Sequence, residues 1–360
     1  MKGAISNLAL SRSGKQILVA TYADSDIPGS AKHALLSLWS TQGKLLWEQK
    51  ADAPIKDIAI SPDGQLIVLS TYLDDLIGMD ARGRKIWNTA GLCKPYVLQE
   101  PKRVICYHDD DAGPDVAFDV LDWDGKKIGG FPIQKDIVAF KFSDDQKSLA
   151  IALNGGEVIL FDSELKPAWR RKLDGEVVDL AVAGSEQSNL ISTASPSPIS
   201  RFRVAVLVRA DRKTQQVEFL GDQGQSLGHV IPSFPVEQLE SSPDGQIAFY
   251  YGNSFAGQWV AGASFPELKE IWKQGEPSSS RYSGSINLSP GLIWAGVEHR
   301  SEKPIQRESR VFIFDLNGNK VHDLDLPKDD TAYLFSHRIA MVPNWFVVGT
   351  DDAKLSVYQF

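Results

Sequence analysis

An all-β fold built from one repeating unit is what this sequence predicts, on three observations. Apolar runs of four to eight residues, rich in Val, Ile and aromatics and bounded by Gly, Pro, Asp and Ser, fill the chain, as strands do. The same order of runs and turns keeps returning along all 360 residues. Helical periodicity over eleven or more residues is not found.

The first run of each copy ends in a turn: LALSRSG at 8–14, IAISPDG at 58–64, VLQEPK at 97–102, FKFSDDQ at 140–146, LAVAG at 180–184, LESSPDG at 239–245, INLSPG at 286–291 and IAMVPN at 339–344. Their starts lie 50, 39, 43, 40, 59, 47 and 53 residues apart. A second run follows, as in QILVATY, QLIVLSTY, SLAIAL and WFVVGT. The third ends in a turn with Asp, Gly or Asn, as in LIGMDARG, VAFDVLDWDG and VFIFDLNG. The fourth carries a large residue in KLLWE (Trp47), RKIWN (Trp87), PAWRR (Trp169) and KEIWK (Trp272). In the long fifth copy the second strand is either RVAVLVRA at 203–210 or NLISTAS at 189–195; the third-to-fourth pattern VEFLGDQGQSL at 217–227 favours the former.

Four short antiparallel strands per repeat of about 40–45 residues describe a β-propeller blade. A lone four-stranded sheet leaves apolar faces unburied, and packing blades side by side covers them. The expectation is therefore one β-propeller domain over residues 1–360 with eight blades, seven blades plus an extra sheet being the alternative. The eighth copy stops at its third strand, KLSVYQF at 354–360. Either the N-terminal MKGAI supplies its fourth strand or this blade has three strands.

The S-P-D-G turns resemble those of WD40-like propellers. The pattern D-x-x-G-[KR]-x-[ILV]-W, present in MDARGRKIW and close to it in WSTQGKLLW, resembles the tryptophan-docking repeat of quinoprotein-type propellers. The resemblance implies fold and leaves function open, because propellers host many activities. Enzymes of the quinoprotein class hold a quinone and a calcium ion with acidic and amide side chains. No such set stands out here, so no cofactor is expected, and the tryptophans are read as packing on the neighbouring blade with a locally satisfied N–H.

A net charge of −8 argues against a general nucleic-acid binder, which needs clustered Lys and Arg. No stretch approaches the 18 apolar residues of a membrane span, and MKGAISNLALSRSGKQ lacks a signal-peptide core. A cytoplasmic monomer is expected, or a periplasmic protein if a signal peptide has been removed. Cys93 and Cys106 are expected as two free buried thiols of a reducing compartment.

Motifs for chemistry are sparse. HDDDAGPD at 108–115 faintly resembles a calcium loop, but the twelfth-position Glu falls on Val120, and a solvated acidic turn is expected. His33, His108, His229, His299, His322 and His337 show no metal-ligand spacing, so no metal site is expected. The middle residue of the first strand is Ala in four copies (Ala9, Ala59, Ala181, Ala340), where strands crowd the axis. It is Lys141, Glu240 and Asn287 in copies four, six and seven, which are expected to line a wet channel.

The loops joining second and third strands segregate by charge. Asp24 and Asp26, Asp74 and Asp75, Asp109, Asp111 and Asp115, and Asp351 and Asp352 place acid on copies one, two, three and eight. Copy seven supplies Arg300, Lys303, Arg307 and Arg310, and copy five Arg209, Arg212 and Lys213, or Arg201 and Arg203 under the other strand assignment. The reading is a non-catalytic scaffold that meets a protein partner through this face. The alternatives are a lactonase-like hydrolase with a site over the channel, or a periplasmic propeller like those of outer-membrane assembly.

Overall fold

The computed structural model describes residues 5–22, 34–91, 93–108, 118–131, 133, 136–184, 201–211, 214–254, 257–276, 286–289, 292–300, 307–325, 338–342, 345–349 and 354–359. Among them there are 31 strands and no helix. The first sheet holds β1 (Ile5–Leu10), β2 (Gln16–Tyr22), β3 (Ala34–Ser40) and β4 (Leu45–Ala51). The second holds β5 (Ile55–Ile60), β6 (Leu66–Thr71), β7 (Asp75–Asp80) and β8 (Lys85–Ala90). The third holds β9 (Lys94–Leu98), β10 (Arg103–Tyr107), β11 (Phe118–Asp122) and β12 (Lys127–Phe131). The fourth runs β13 (Ile137–Phe142), β14 (Leu149–Leu153), β15 (Glu157–Phe161) and β16 (Pro167–Lys172).

The fifth sheet runs β17 (Glu176–Val182), β18 (Val204–Arg209), β19 (Gln215–Leu220) and β20 (Ser226–Val230). The sixth runs β21 (Gln238–Ser241), β22 (Ile247–Ser254), β23 (Gly257–Ser264) and β24 (Lys269–Glu276), and the seventh β25 (Ile286–Ser289), β26 (Leu292–Arg300), β27 (Arg307–Asp315) and β28 (Lys320–Asp325). The eighth has three strands, β29 (Arg338–Val342), β30 (Trp345–Gly349) and β31 (Leu355–Gln359). Every pairing is antiparallel between chain neighbours. The fold is an eight-bladed β-propeller. RVAVLVRA is the second strand of the fifth blade, while NLISTAS lies outside the described residues.

Of the MKGAI stretch only Ile5 is described, residues 1–4 lying outside the described residues. Ile5 opens the innermost strand of blade one, pairing with Thr21, and the last blade has three strands among the described residues.

Chain contacts fall into two compact units, one of Met1–Gln134 with Thr331–Phe360 and one of Lys135–Asp330. In the first, blades one and two bury Leu18, Leu36, Leu38, Ile55 and Ile67 between them. Ile5, Ile17, Val19 and Val347 join blade one to blade eight. In the second, the fifth and sixth blades enclose Phe202, Phe219, Leu239, Tyr250 and Phe265. Second strands are mostly apolar because both their faces are covered: β6 (LIVLST) and β14 (LAIAL) are buried at every position.

The two repeated turns explain their sequences. In SPDG the Ser61 hydroxyl donates to Asp63 at 2.6 Å and accepts from the Leu66 amide at 2.9 Å. Ser143 with Asp145 and Ser242 with Asp244 do the same. In D-x-x-G, Asp80, Asp122 and Asp315 each accept two backbone amides of their own turn, as Asp162 does in DSEL, and Gly83, Gly125 and Gly318 take the left-handed φ of +78 to +79° that a Cβ disfavours.

These glycines also seat the tryptophans. A Cβ on Gly83 would stand 3.1 Å from the Trp47 ring, on Gly125 2.5 Å from Trp87, and on Gly224 2.9 Å from Trp169; Gly318 is covered in the same way by Trp272. Each ring reaches the turn of the following blade. The indole N–H of Trp47, Trp87 and Trp272 donates to the carbonyl of Ala81, Trp123 and Leu316 at 3.0, 2.8 and 3.1 Å. Trp169 has the same seat, and among the described residues its buried N–H has no partner. Between blades five and six the sizes are exchanged: Gly228 takes the tryptophan position and Leu268 the turn position, with φ +53°.

Candidate functional site

On the innermost strands of blades four, five and six, three charged side chains converge. The Lys141 ammonium on β13 donates to Glu240 Oε1 on β21 at 2.8 Å and to the Leu239 carbonyl, and lies 3.6 Å from Asp179 on β17. Asp179 in turn accepts the Leu239 amide at 2.7 Å. Lys141 and Glu240 come from blades two apart. Ala181 holds the aligned position on the blade between and is fully buried. The side chains keep only 26%, 14% and 26% of their exposure for Lys141, Asp179 and Glu240. Burial disfavours the Lys141 charge, but Glu240 and then Asp179 outweigh it, so its pKa lies above the ordinary lysine value. Burial pushes Glu240 above the usual carboxylate range despite the lysine.

Sequence reasoning found Lys141 and Glu240 but missed Asp179. The signal was one residue upstream: Asn7, Asp57 and Asp179 share the position just before the middle run, at a β-bulge of the innermost strand. Two of them tie neighbouring blades, Asn7 Nδ2 donating to the Lys56 carbonyl at 3.2 Å and Asp179 accepting from Leu239. Asn287 lies on β25, paired with Trp294.

The acidic face is described only at blade two. Asp74 sits at the tip of the β6–β7 connection with a left-handed φ of +61°, its carbonyl accepting the Gly91 amide at 2.7 Å. Asp75 opens β7 and its amide donates to Thr71 Oγ1 at 3.3 Å. The same tip exposes Tyr72 at 49% and Leu73 at 67%, two apolar side chains that a charge-only reading passed over. Asp24, Asp26, Asp109, Asp111, Asp115, Asp351 and Asp352, with the HDDDAGPD turn after His108, lie outside the described residues, as do Arg212, Lys213 and Lys303.

The basic positions of blade seven belong to strands rather than to a loop. Arg300 ends β26 and Arg307 opens β27, paired with each other, and Arg310 pairs with Val297 and Asp325. The hairpin is longer than the charge-rich sequence suggested. Arg209 ends β18 and meets Glu176 at 3.2 Å. Arg203 is buried, 5% exposed, and braces blades four and five: it donates to Ala183 O at 3.0 Å, to Gly184 O and to Ser148 Oγ at 2.7 Å. Burial and then the nearby Arg201 charge push its pKa down.

The cysteines differ from expectation. Cys93 and Cys106 form a disulfide with Cα atoms 5.4 Å apart, so they are not free thiols. Thirteen residues of separation say nothing of this, but the β9–β10 hairpin pairs Cys106 with Pro95 and thereby brings it beside Cys93. His229 and His322 lie on the outermost strands β20 and β28, remote from the innermost strands. Among the described residues no three His, Cys, Asp or Glu side chains are grouped to hold a metal ion, and no helix is long and apolar enough to cross a membrane.

No protein-family model and no curated protein sequence matches the chain. Solved propellers do match it over nearly its whole length. BamB from Moraxella catarrhalis is similar with a TM-score of 0.61 and 14% identity, over 98% of this chain and 96% of that one. The C-terminal WD40 domain of Sif2 is similar with a TM-score of 0.62 and 12% identity, over 100% and 96%. Sqt1 of Saccharomyces cerevisiae reaches 0.59 at 10% identity, over 100% and 96%. The fold is therefore that of the WD40-like and quinoprotein-type propellers.

Proposed function

We propose that the chain is a non-catalytic scaffold that binds a protein partner through the loops joining second and third strands, with all eight blades acting as one monomeric domain. The observation that carries this is the state of Lys141. It is the one lysine among the three charged groups gathered on the innermost strands, and it is held as an ammonium by Glu240 and Asp179. A catalytic lysine needs a depressed pKa. In this reading the Lys141 ammonium braces three blades and does not serve as a nucleophile.

The blade-two loop supports the binding half of the reading. Tyr72 and Leu73, exposed beside Asp74 and Asp75, combine apolar contact with a charged margin, the composition expected of an interface. The test is affinity capture from the source organism with wild type and with a Tyr72→Ala, Leu73→Ala variant, alongside a lactone and ester substrate panel. The scaffold reading expects one partner retained by wild type and lost by the variant, and no turnover. Turnover that Lys141→Met abolishes would favour the hydrolase instead.

The Cys93–Cys106 bond supports an oxidising compartment, hence the periplasmic alternative over the cytoplasm. Thiol labelling of the native protein before and after reduction decides it, two free thiols without reductant arguing for the cytoplasm.

A further inference from the structure

We infer that the outer side of blade eight, together with the blade-one turn at Gly43, is a docking site for an extended strand of a partner protein carrying a large aromatic side chain. The observations behind it are separate from the charged loop face.

Seven blades cover their third strand with a fourth. In blade eight, β31 pairs with β30 and with nothing else among the described residues. A strand with an unpaired edge presents a row of backbone N–H and C=O groups that another strand can join.

Beside the unpaired β31 edge lies a seat that no described residue fills. At four successive-blade contacts a fourth-strand tryptophan covers the turn glycine of the next blade, and at a fifth the sizes are exchanged between Gly228 and Leu268. The blade-one turn is built like the others. Gly43 has φ +79°, its amide donates to the Ser40 carbonyl at 2.9 Å, and the Ser40 amide donates to the Lys44 carbonyl at 2.8 Å, as the Gly83 amide does to Asp80 and the Asp80 amide to Arg84 at 2.9 and 3.0 Å. Yet no described residue stands within 4 Å of where a Cβ on Gly43 would be. The Thr41 carbonyl holds the turn position from which Ala81, Trp123 and Leu316 accept an indole N–H.

The side chains agree with the backbone. Leu355 and Val357 on β31 face blade one beside Trp39, and both are only half-buried. The corresponding residues of complete blades are closed over: Leu36 and Leu38 are 1% and 0% exposed, Val158 and Leu160 0% and 4%. One added antiparallel strand would pair the β31 edge, set an aromatic ring on Gly43 and cover this apolar strip. The fourth strands of the other blades show the pattern such a segment needs: a large ring in a short strand with polar residues at its ends and on its open face, as with Lys85, Asn88 and Thr89 around Trp87 in KIWNTA.

The probe is a labelled synthetic peptide of residues 83–91, GRKIWNTAG, and its Trp→Ala analogue, followed by fluorescence anisotropy on the full chain. Saturable binding of the Trp peptide is expected, weaker by at least about tenfold for the Ala peptide, a difference of about 1.4 kcal/mol. Gly43→Asn, which tolerates the left-handed conformation and fills the seat, is expected to weaken the Trp peptide by a similar factor with the melting temperature retained. Absence of saturable binding, or equal binding of both peptides, overturns the proposal. So does binding that appears only after residues 1–4 are deleted, which would mean the chain fills its own seat. A dimer that the Trp peptide dissociates would assign the seat to a second copy and equally contradict a partner strand.

Discussion

The indole nitrogen of Trp87 donates to the carbonyl of Trp123 at 2.8 Å while its ring lies on Gly125, so one side chain fixes blade two to blade three. Trp87→Ala is therefore expected to cost roughly 3–5 kcal/mol, the usual range for truncating a packed aromatic. Gly125→Ala should also destabilise, through its positive φ and the ring a Cβ would meet. Because removing the ring relieves that contact, the double variant should cost less than the sum of the two. Chemical denaturation of all three measures it, and strict additivity would mean the ring and the glycine are not coupled.

Trp169 occupies an equivalent seat with its N–H unpartnered among the described residues. Replacing it by Phe removes a buried donor that makes no hydrogen bond to them, whereas Trp87→Phe removes one that does. Trp87→Phe should thus be the more damaging by about 1 kcal/mol. Equal losses would show that the indole hydrogen bonds carry no stability.

Lys141 gives a pH prediction. Its folded pKa is raised, so its contribution is complete below the ordinary lysine value and is lost as pH rises through the folded value. Glu240 is also raised, so its effect has the same sign at lower pH: stability is lost as pH climbs through its folded pKa. Lys141→Met leaves Glu240 beside Asp179 without a counter-charge. A loss of about 1–3 kcal/mol at neutral pH is expected, between the limits for exposed and buried pairs. The gap to wild type should narrow as pH falls toward about 4, where carboxylates protonate. A gap independent of pH would contradict the electrostatic origin.

Breaking the disulfide with a Cys93→Ser, Cys106→Ser variant should cost about 3 kcal/mol, the chain-entropy value for a loop of this size. The matched wild type with reductant in the denaturation series should lose a comparable amount. Indifference of wild type to reductant would mean the two sulfurs are not bonded in solution.

Much of this architecture was legible because a propeller repeats its turn chemistry. SPDG and D-x-x-G recur since each Asp caps its own turn, and glycine recurs where φ is left-handed and a tryptophan lands. All eight first strands could thus be located. Pairwise facts were hidden where they depend on register. Asp179 reaches Lys141 through a bulge, Arg203 turns inward where the fifth turn lacks its serine, and Cys106 meets Cys93 across a hairpin. The Arg300–Arg310 segment read as a loop because strand ends and loops share polar composition. Two readings of the last blade stood open, since nothing in MKGAI distinguishes an innermost strand from an outermost one; of that stretch only Ile5 is described, on the innermost strand of blade one.

The most direct test of the charged-face proposal is the association rate of the captured partner, measured by surface plasmon resonance at low and at physiological ionic strength. Asp74, Asp75, Asp109 and Asp111 changed together to Asn should slow association at low salt, with the difference shrinking as screening shortens to about 8–10 Å. The control is Asp63→Asn with Asp244→Asn in the opposite turns. Hydrogen bonds from Ser61, Gln65 and Gln99 overcome a desolvation penalty and hold the Asp63 carboxyl below its usual range, so this control should lose stability yet associate like wild type. Slower association for the loop variant alone is the predicted result; equal rates for the loop variant and wild type at low salt would contradict a charged loop face as the binding surface.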